Sequence, residues 1–330
     1  MKLRFFISTE EISQSVGIAF TGKSISVFEV VPYTELKGGS LFFIDKASST
    51  MSCTLNGIDG AILIINSQYT EYFDINSLQK NNALCLDPNP KYCFAKVMKF
   101  IENKMDREYD RYSYKFSQGS SIGEDARIGD GTIIEPGCFI DHGVNIGREC
   151  TIRAGAIIRR NSDIGDYVTV RENSVVGGAG FGVVKDNEGH NYKIPQLGGV
   201  KVGDLVEIGA FNTIVSGTIE PTTIGSYSKM SDHIHVAHNC KIGQNCIITA
   251  CAEISGSVTI GDDVYVGPNA SLMNKISVGD RALIGLGAVV TKNVAPDAVI
   301  AGNPADSIEK LKEERELFRQ IIQEHVTSKK

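Results

Sequence analysis

The chain has 330 residues, 42% of them hydrophobic, and a formal net charge of −6 at pH 7. This length and composition indicate a globular protein of two or three structural units. The negative charge argues against a nucleic-acid partner, since phosphate binding needs clustered Lys and Arg. No stretch approaches the roughly eighteen apolar residues of a membrane span, and Met1–Ile7 is too short an apolar segment for a signal peptide. The eight cysteines lack paired C-x-x-C spacing, so a reduced, cytoplasmic protein is expected.

Residues 1–105 have the pattern of a small α/β domain. They contain three short apolar runs of the kind that form buried strands. The runs are Ser40–Ile44, Gly60–Ile65 and Ala83–Leu86. The turn sequence Asp87-Pro88-Asn89-Pro90 then precedes a helix, which is predicted over Lys91–Met105. Residues 106–118 are expected to be a linker.

Large aliphatic residues recur every six residues over residues 119–294. The series begins with ten consecutive members, resumes after a long gap, and resumes again after a four-residue insertion. Its members are Ile122, Ile128, Ile134, Ile140, Ile146, Ile152, Ile158, Ile164, Val170, Val176, Val202, Ile208, Ile214, Ile224, Met230, Val236, Ile242, Ile248, Ile254, Ile260, Val266, Leu272, Val278, Ile284 and Val290. A period of six fits neither an α-helix nor a simple alternating strand. It predicts short strands joined by turns, three strands to a triangular coil.

A second selective position lies four residues after each aliphatic, and its residues are mostly small or compact. This position should point into the coil together with the aliphatic. Four of the eight cysteines occupy it, and they are Cys138, Cys150, Cys240 and Cys246. We therefore interpret these thiols as core packing rather than as metal ligands or nucleophiles.

Repeats of the form aliphatic-Gly-x-x-small-x resemble those of left-handed parallel β-helices. The left hand comes from that resemblance, because parallel crossovers are otherwise right-handed. The expected fold class is mainly β: a left-handed parallel β-helix over 119–294 with a small N-terminal α/β domain. Residues 295–330 are expected to close the coil with a turn and to form a C-terminal helix, capped by Asp306 or Ser307.

Function is expected where the repeat is interrupted, because the interior of such a coil is sealed. The first interruption is the long loop Gly177–Lys201, and the second is the insertion Ser216–Pro221. In the first, Phe181 offers a flat apolar face for a sugar or a base, and the neighbouring Gly182 allows a backbone conformation that β-branched residues resist. Both residues are candidates for substrate binding.

Three of the six histidines lie in the segment Asp232–Asn239, which follows both interruptions. The six-residue register places His233 and His235 on the outside of the coil and His238 in a turn. A neutral imidazole that titrates near pH 7 suits a general base. His238 is therefore the candidate base, and His235 is a candidate for substrate binding.

Several motifs carry a resemblance to a known enzyme family. They are Asn89-Pro90-Lys91-Tyr92, Gly180-Phe181-Gly182, Lys193-Ile194-Pro195-Gln196, Val206-Glu207-Ile208-Gly209-Ala210 and Val236-Ala237-His238-Asn239. Through them the stretch from about Val176 to Gly256 resembles the N-acyltransferases of lipid A synthesis, which move a 3-hydroxyacyl chain onto the 2-amino group of a UDP-linked, 3-O-acylated glucosamine. The resemblance implies that residues 1–105 are nucleotide-sugar-binding-like and that the protein is a homotrimer with active sites between subunits.

The resemblance also assigns catalytic roles. In this family the His of the I-A-H-N motif is the general base, and a glycine amide eighteen residues later donates to the oxyanion. Those positions here are His238 and Gly256. Three hexads make one coil, so a spacing of eighteen residues stacks the two positions. Asn239 is assigned to substrate binding, and Asn239, Asp232 or Glu253 are three open alternatives for orienting the imidazole.

Three segments depart from the pattern of the lipid A enzyme or add to it. Thr213–Gly217 stands where that enzyme has T-I-D-R-G, and Ile44–Ser49 stands where it has an N-P-K-Y motif that binds uracil. Ile300–Ala305 resembles the closing motif of small-acyl, coenzyme-A-dependent sugar acyltransferases. The first expectation is therefore an N-acyltransferase for a nucleotide-linked, for example dTDP-linked, amino-dideoxy sugar of O-antigen or another surface glycan. The alternative is UDP-3-O-(3-hydroxyacyl)glucosamine N-acyltransferase.

The acyl donor implied by the resemblance is a thioester, either acyl-CoA or acyl carrier protein, and no permanently bound cofactor is expected. The final turns line the channel for the pantetheine arm in coenzyme-A-using relatives. Gly287, Ala301 and Gly302 occupy those turns here and are the candidates for donor binding.

Two further classes of protein are compatible with a β-helix. The γ-type carbonic anhydrases are left-handed β-helices with a metal held by three histidines, two of them in H-x4-H, and His233 and His238 have that spacing. The third ligand would come from about two coils earlier, where the only histidine, His190, lies in the long loop, so no metal site is expected. A non-catalytic scaffold is the other class. The matching pair of His238 and Gly256 argues against it.

Overall fold

The computed structural model describes residues 1–47, 55, 57–109, 113–117 and 119–327, and the chain forms two compact units. The first unit contains residues 1–113, 179–199 and 217–221, and the second contains residues 114–178, 200–216 and those from 222 onward. Both interruptions of the repeat therefore fold with the N-terminal residues, although the sequence placed them in the coil domain. No helix of the described residues is long and apolar enough to cross a membrane.

The first unit is a small α/β fold. Its elements are β1 (Lys2–Ser8), α1 (Thr9–Val16), β2 (Thr21–Gly22), β3 (Ser26–Glu29), β4 (Leu41–Ile44), β5 (Ile62–Asn66), α2 (Ile75–Asn81), β6 (Ala83–Asp87) and α3 (Pro90–Tyr109), with 3-10 turns at Tyr33–Glu35 and Ser67–Tyr72. Strands β4, β5 and β6 are parallel, β2 pairs antiparallel with β6, and β1 and β3 form a separate antiparallel pair. Every residue of β5 is buried, so this strand lies at the centre of the unit.

Helix α3 buries the apolar face that the sequence predicts. The buried positions include Phe94, Val97, Met98 and Ile101. The helix begins at Pro90, where the missing N–H costs nothing, and ends at Tyr109, four residues into the segment expected to be a linker. Within that segment Tyr114–Ser117 is a strand, and residues 110–112 and 118 lie outside the described part of the chain.

The long interruption contains an antiparallel hairpin, Gly182–Lys185 with Asn191–Ile194. Asn89 donates a hydrogen bond from Nδ2 to the carbonyl oxygen of Lys185 at 3.0 Å. The Tyr192 ring packs edge to face on Tyr92 with centroids 5.2 Å apart. These contacts hold the hairpin on the beginning of α3, within the same unit.

The second unit is the coil, and its short strands stack into three parallel sheets. The first face consists of Ser120–Gly123, Phe139–Ile140, Ile157–Ile158, Val175–Gly178, Thr213–Val215, His235–Val236, Glu253–Ile254, Ser271–Leu272 and Val289–Val290, with Tyr114–Ser117 antiparallel at one end. The second face consists of Arg127–Ile128, Asn145–Ile146, Ser162–Ile164, Val200–Val202, Thr222–Ile224, Lys241–Ile242, Thr259–Ile260 and Ser277–Val278. The third face consists of Ile133–Ile134, Thr151–Ile152, Thr169–Val170, Glu207–Ile208, Lys229–Met230, Ile247–Ile248, Tyr265–Val266, Leu283–Ile284 and Val299–Gly302, with Ala305–Ser307 antiparallel at its end. Uninterrupted coils pair residues eighteen apart, for example His235 with Glu253.

The six-residue series forms the core of the coil, as predicted. From Ile140 onward its members are buried, and the four inward cysteines are buried with them. Burial raises the pKa of these thiols, to about 11 for Cys240, which makes them poor nucleophiles. The first coil is the exception: Ile128 is 38% exposed, because only one neighbouring coil covers it.

The chain ends in helix α4 (Ile308–Thr327). Of the two expected caps, Ser307 is the one that accepts from a backbone amide of the helix, that of Lys310, at 3.1 Å. Asp306 instead pairs with the Lys310 side chain. The apolar face of α4 is exposed in the single chain, and its most exposed members are Leu317, Phe318, Ile321 and Ile322.

Candidate active site

His238 lies at the corner between the first and second faces of the coil, two residues after the strand His235–Val236. Val236 is fully buried, and this fixes the strand so that the next turn carries the imidazole outward. Asn239 has a left-handed backbone with φ of 60°, and its amide donates to the hydroxyl oxygen of Thr222 at 3.0 Å. The histidine is thus held on a rigid corner, half-buried.

The imidazole lies against the Cα of Gly256 in the next coil. A Cβ at residue 256 would be 2.8 Å from Cε1 of His238 and 2.9 Å from its Nε2. The amide of Ser257 donates to the carbonyl oxygen of His238 at 2.8 Å, which fixes the two corners to each other. Only glycine leaves room for the ring at this position.

The amide N–H of Gly256 points to no acceptor within the described part of the chain. At several equivalent corner positions, a side chain of the next coil accepts this hydrogen bond. For example, the amide of Gln244 donates to Asp262 at 2.8 Å, and the amide of Asp262 donates to Asp280 at 2.9 Å. A half-buried donor without an acceptor, next to an imidazole, can serve an oxyanion.

The electrostatic setting of His238 favours the neutral ring. Desolvation by burial lowers the pKa of the imidazole from its ordinary value. Nδ2 of the Asn239 side-chain amide lies 2.9 Å from Nδ1 of the ring. Of the three candidates for orienting the ring, this amide is therefore the one in contact.

The other two candidates are engaged elsewhere. Asp232 accepts from the amide of Ala210 at 2.7 Å and pairs with Arg171 at 3.1 Å. Glu253 lies 4.0 Å from Nε2 of His235, with which it is in register on the outer side of the first face.

His235 and Glu253 belong to a polar column beside the catalytic corner. On the outer side of the first face, Thr213, His235, Glu253 and Ser271 follow one another in consecutive coils. The side chains of His235 and Glu253 are 41% and 47% exposed, so they are accessible to a ligand at this face. This placement is consistent with the role expected for His235.

Phe181 and Gly182 belong to the first unit, whereas His238 belongs to the second. Phe181 is 88% exposed, so its ring is free to contact a ligand. Gly182 begins the hairpin, and a Cβ there would be 2.6 Å from Nε2 of Gln196. That close approach gives Gly182 a packing role as well.

The expected donor residues lie at the corner between the third and first faces, near the end of the coil. Gly287 has φ of 64°, and a Cβ there would meet nothing within 4 Å. Ala301 and Gly302 end the last parallel strand of the third face and pair with Ala305–Ser307. This corner lies at one edge of the first face. The corner of His238 lies at the other edge, three coils away. The structure therefore does not gather the donor residues around the imidazole.

The histidine pair with metal-ligand spacing does not converge. His233 lies at the corner before the first face, where its ring stacks on Phe211 with centroids 5.2 Å apart and planes 6° apart. His238 lies at the corner after that face, with the strand His235–Val236 between them. Among the described residues, no group of three His, Cys, Asp or Glu side chains is placed to hold a metal ion.

Two family models of hexapeptide-repeat transferases match parts of the coil. The model described as "Bacterial transferase hexapeptide (six repeats)" matches residues 257–292, and "Hexapeptide repeat of succinyl-transferase" matches 120–160 and 238–273. A UDP-3-O-acylglucosamine N-acyltransferase from Campylobacter lari is 31% identical over 299 residues, which cover 89% of this chain and 92% of the relative. Its counterpart from Caulobacter is 40% identical over 142 residues, 43% of this chain and 42% of the relative.

Solved structures show the same architecture. A UDP-N-acetylglucosamine acyltransferase from Campylobacter jejuni matches with a TM-score of 0.54 and 28% identity, over 58% of this chain and 73% of that one. The corresponding Bacteroides fragilis protein matches with a TM-score of 0.54 and 26% identity, over the same shares. The repeat, the corner histidine and these matches define a left-handed β-helix acyltransferase of the hexapeptide class. Within that class, the chain belongs to the UDP-3-O-acylglucosamine N-acyltransferase family.

Proposed function

We propose that the enzyme transfers an acyl group from a thioester to the amino group of a UDP-linked, 3-O-acylated glucosamine. The observation that carries the proposal is the stacking of the His238 imidazole on Gly256, whose amide N–H has no acceptor among the described residues. The relatives named UDP-3-O-acylglucosamine N-acyltransferase support this acceptor. It was the alternative from the sequence, and the comparisons favour it over the amino-dideoxy sugar expected first.

In the proposed mechanism His238 is the general base. A sugar amine must be deprotonated before it attacks, and a neutral imidazole accepts that proton. Nε2 can accept only when Nδ1 carries the hydrogen, so the amide of Asn239 must present its oxygen to Nδ1. The structure places Nδ2 of Asn239 at 2.9 Å from Nδ1, and a 180° turn of the amide, which exchanges its nitrogen and oxygen, gives the orientation that the mechanism needs.

The amide of Gly256 is the proposed oxyanion donor. Attack of the amine on the thioester carbonyl forms a C–N bond and places negative charge on the carbonyl oxygen. A fixed N–H directed at that oxygen stabilises the transition state more than the ground state. Collapse of the intermediate breaks the C–S bond, and the proton held by His238 passes to the departing thiolate.

The remaining assignments follow the family resemblance. Phe181, Gly182, His235 and Asn239 are proposed to contact the nucleotide sugar, and Gly287, Ala301 and Gly302 the pantetheine arm of acyl-CoA or acyl carrier protein. A homotrimer with active sites between subunits is proposed for the same reason. The exposed apolar face of α4 is consistent with burial against other copies.

A second acceptor, a nucleotide-linked amino-dideoxy sugar, is favoured by one local observation. Asp45 is the second residue of Ile44–Ser49, the segment where the lipid A enzyme places its uracil-binding motif, and it forms an ion pair with Lys91 at 2.8 Å. A carboxylate engaged in this way differs from the asparagine of that motif. Ser48 and Ser49 of the same segment lie outside the described residues.

A direct assay distinguishes the two acceptors. The purified protein is incubated with acyl carrier protein or CoA thioesters and with either UDP-3-O-acylglucosamine or a dTDP-linked amino-dideoxy sugar, and mass spectrometry detects the amide product. We expect amide formation on UDP-3-O-acylglucosamine and its loss in His238→Ala. Product only from the dTDP sugar would support the second acceptor. No product from either sugar would contradict both proposals.

A further inference from the structure

Thr222 is the first residue of the coil after the second interruption, and its side chain is fully buried. Its strand, Thr222–Ile224, lies on the second face, one coil before Lys241–Ile242. The hydroxyl oxygen accepts from the backbone amide of Asn239 at 3.0 Å. Thr222 therefore holds the backbone of the residue whose side chain meets Nδ1 of His238.

At comparable corners of the coil, a backbone carbonyl accepts the hydrogen bond that the Thr222 hydroxyl accepts here. The donor is a corner residue with a left-handed backbone, and the acceptor is the carbonyl oxygen nineteen residues earlier. Examples are Asn245 to Ser226 at 2.9 Å, Ser257 to His238 at 2.8 Å and Lys275 to Gly256 at 3.0 Å. These backbone contacts attach each corner to the coil before it.

The second interruption changes this arrangement at the corner of His238. The residue nineteen positions before Asn239 is Glu220, which belongs to the interruption and folds with the first unit. The regular coil therefore does not supply the usual carbonyl to Asn239. The hydroxyl of Thr222, the residue at which the coil resumes, accepts from the Asn239 amide instead.

Other buried hydroxyls of the coil make a different contact. Ser228 is as buried as Thr222, but it accepts from the amide of Cys246 at 3.0 Å, at an inward position of the next coil. The hydroxyl of Ser174 accepts in the same way from the amide of Asn212 at 2.9 Å. These contacts support the core, whereas the contact of Thr222 supports a corner that carries a functional side chain.

We propose that Thr222 is a positioning residue for acyl transfer. Its hydroxyl holds the backbone of Asn239 so that the Asn239 side-chain oxygen accepts from Nδ1 of His238 and leaves Nε2 bare. The hydrogen bond at one ring nitrogen decides which nitrogen carries the hydrogen, so this contact keeps the imidazole able to accept a proton. The inference rests on the proposed function, in which His238 is the general base.

The effect of Thr222 passes through Asn239, because a fully buried side chain cannot reach a substrate. Without the hydroxyl, the Asn239 amide loses its acceptor, and a partly buried donor without an acceptor destabilises the backbone conformation that leaves it so. The corner then relaxes and the Asn239 side chain moves with it. Small displacements of this kind have large effects on rate, since catalytic groups act only within a narrow range of positions.

Kinetics of three variants provide the first part of the test. Thr222→Val removes the hydroxyl and keeps the shape of the side chain, and it should lower kcat by about tenfold or more while leaving KM for the sugar nearly unchanged. Thr222→Ser retains the hydroxyl and should restore most of the turnover. Ser228→Ala is the matched control, because it removes an equally buried hydroxyl of the same unit. It should lower the Tm as Thr222→Val does and leave kcat unchanged.

The second part of the test reads the imidazole itself. In the full-length protein with ¹⁵N-labelled histidine, NMR distinguishes a protonated ring nitrogen from a bare one, and the spectrum of His238→Ala identifies the signals of His238. We expect a protonated Nδ1 and a bare Nε2 in the wild type and in Ser228→Ala. In Thr222→Val, the Nε2 signal should move towards that of a protonated nitrogen. If Thr222→Val does not fold by circular dichroism, Thr222→Ala replaces it.

Two outcomes would overturn the proposal outright. They are an unchanged His238 tautomer in the variant that lacks the hydroxyl, and losses of kcat that are equal in that variant and in Ser228→Ala. A shifted tautomer with unchanged kcat would overturn the role of Thr222 in catalysis. In that case His238→Ala separates the two proposals: if it also keeps its turnover, the proposed function fails, and if it loses its turnover, only the role of Thr222 fails.

Discussion

Gly256 lies so close to His238 that a Cβ at residue 256 would be 2.8 Å from the imidazole Cε1. The pair joins two consecutive coils, since the amide of Ser257 also donates to the carbonyl oxygen of His238. Ring position and amide direction are therefore set by the same backbone contact. Any change that moves one moves the other.

The first prediction follows from that contact. Gly256→Ala should displace the imidazole and lower kcat by about 10²-fold or more, the order of loss seen when an oxyanion donor is removed. Thermal stability should change little, because the atoms nearest to the added methyl all belong to the half-buried His238 ring and none to the core. Gly57→Ala is the control, since a Cβ there meets nothing within 4 Å. An unchanged kcat in Gly256→Ala would show that the position of the His238 ring does not affect turnover.

The second prediction concerns the base. His238→Ala should lower turnover by about 10²- to 10⁴-fold, as expected for a general base, and the coil should remain folded because the side chain points away from the core. His235→Ala should have a smaller effect on kcat and a larger one on KM for the sugar. Steady-state kinetics of both variants check this. Equal losses of kcat would contradict the assignment of His238 as the base.

The third prediction is a pH profile. Burial lowers the pKa of His238, so the ring stays neutral, and able to accept a proton, to a lower pH than an ordinary histidine. The acidic limb of kcat/KM should therefore fall below about pH 6.5, the unperturbed value. As the pH falls through the lowered pKa, the ring protonates and activity is lost. A limb above pH 7 would point to a different base.

The fourth prediction separates positioning from folding. Asn239→Asp places a carboxylate at Nδ1, which should stabilise the imidazolium and move the acidic limb to higher pH. Asn239→Ala should lower kcat without that shift. Asn245 has the same left-handed backbone, with φ of 53°, at another corner, so Asn245→Ala controls for backbone strain. A merely structural role for Asn239 would leave the pH limb unmoved in both variants.

The repeat made most of the fold predictable from the sequence, whereas the structure of the interruptions was not predictable. An inward aliphatic every six residues determines strand, corner and face, so the outward direction of His235 and the turn position of His238 followed from counting. The stacking on Gly256 followed from the eighteen-residue spacing. The free amide of Gly256 did not, because it depends on which neighbouring side chains accept hydrogen bonds.

The hairpin of the long interruption was also not predictable. Only four residues of each strand pair, too few for a clear alternating pattern. Its contact with α3 joins Tyr92 to Tyr192, one hundred residues apart, and no local signal reports such a distance. The choice of Asn239 over Asp232 and Glu253 likewise depends on side-chain contacts that spacing does not determine.

The fifth prediction assigns the two substrates to different residues. Phe181 is almost fully exposed, so Phe181→Ala removes little packing and should raise KM for the amino sugar far more than KM for the acyl donor. A bulky residue at Gly287 or Ala301 should do the reverse. A contact that is equally strong in the ground state and the transition state affects KM, so its loss raises KM for the substrate that made the contact.

Two controls make that comparison specific. Val183→Ala changes a neighbouring hairpin residue that is 41% exposed, and it should alter neither constant by more than about twofold, as expected for a surface substitution without a contact to substrate. Gly287→Ala distinguishes bulk from backbone strain, because a Cβ at this position meets nothing within 4 Å while its φ of 64° disfavours any side chain. A donor KM that rises for Gly287→Leu but not for Gly287→Ala identifies a steric block of the pantetheine arm. If Phe181→Ala raises the donor KM instead, the two halves of the site are assigned the wrong way round.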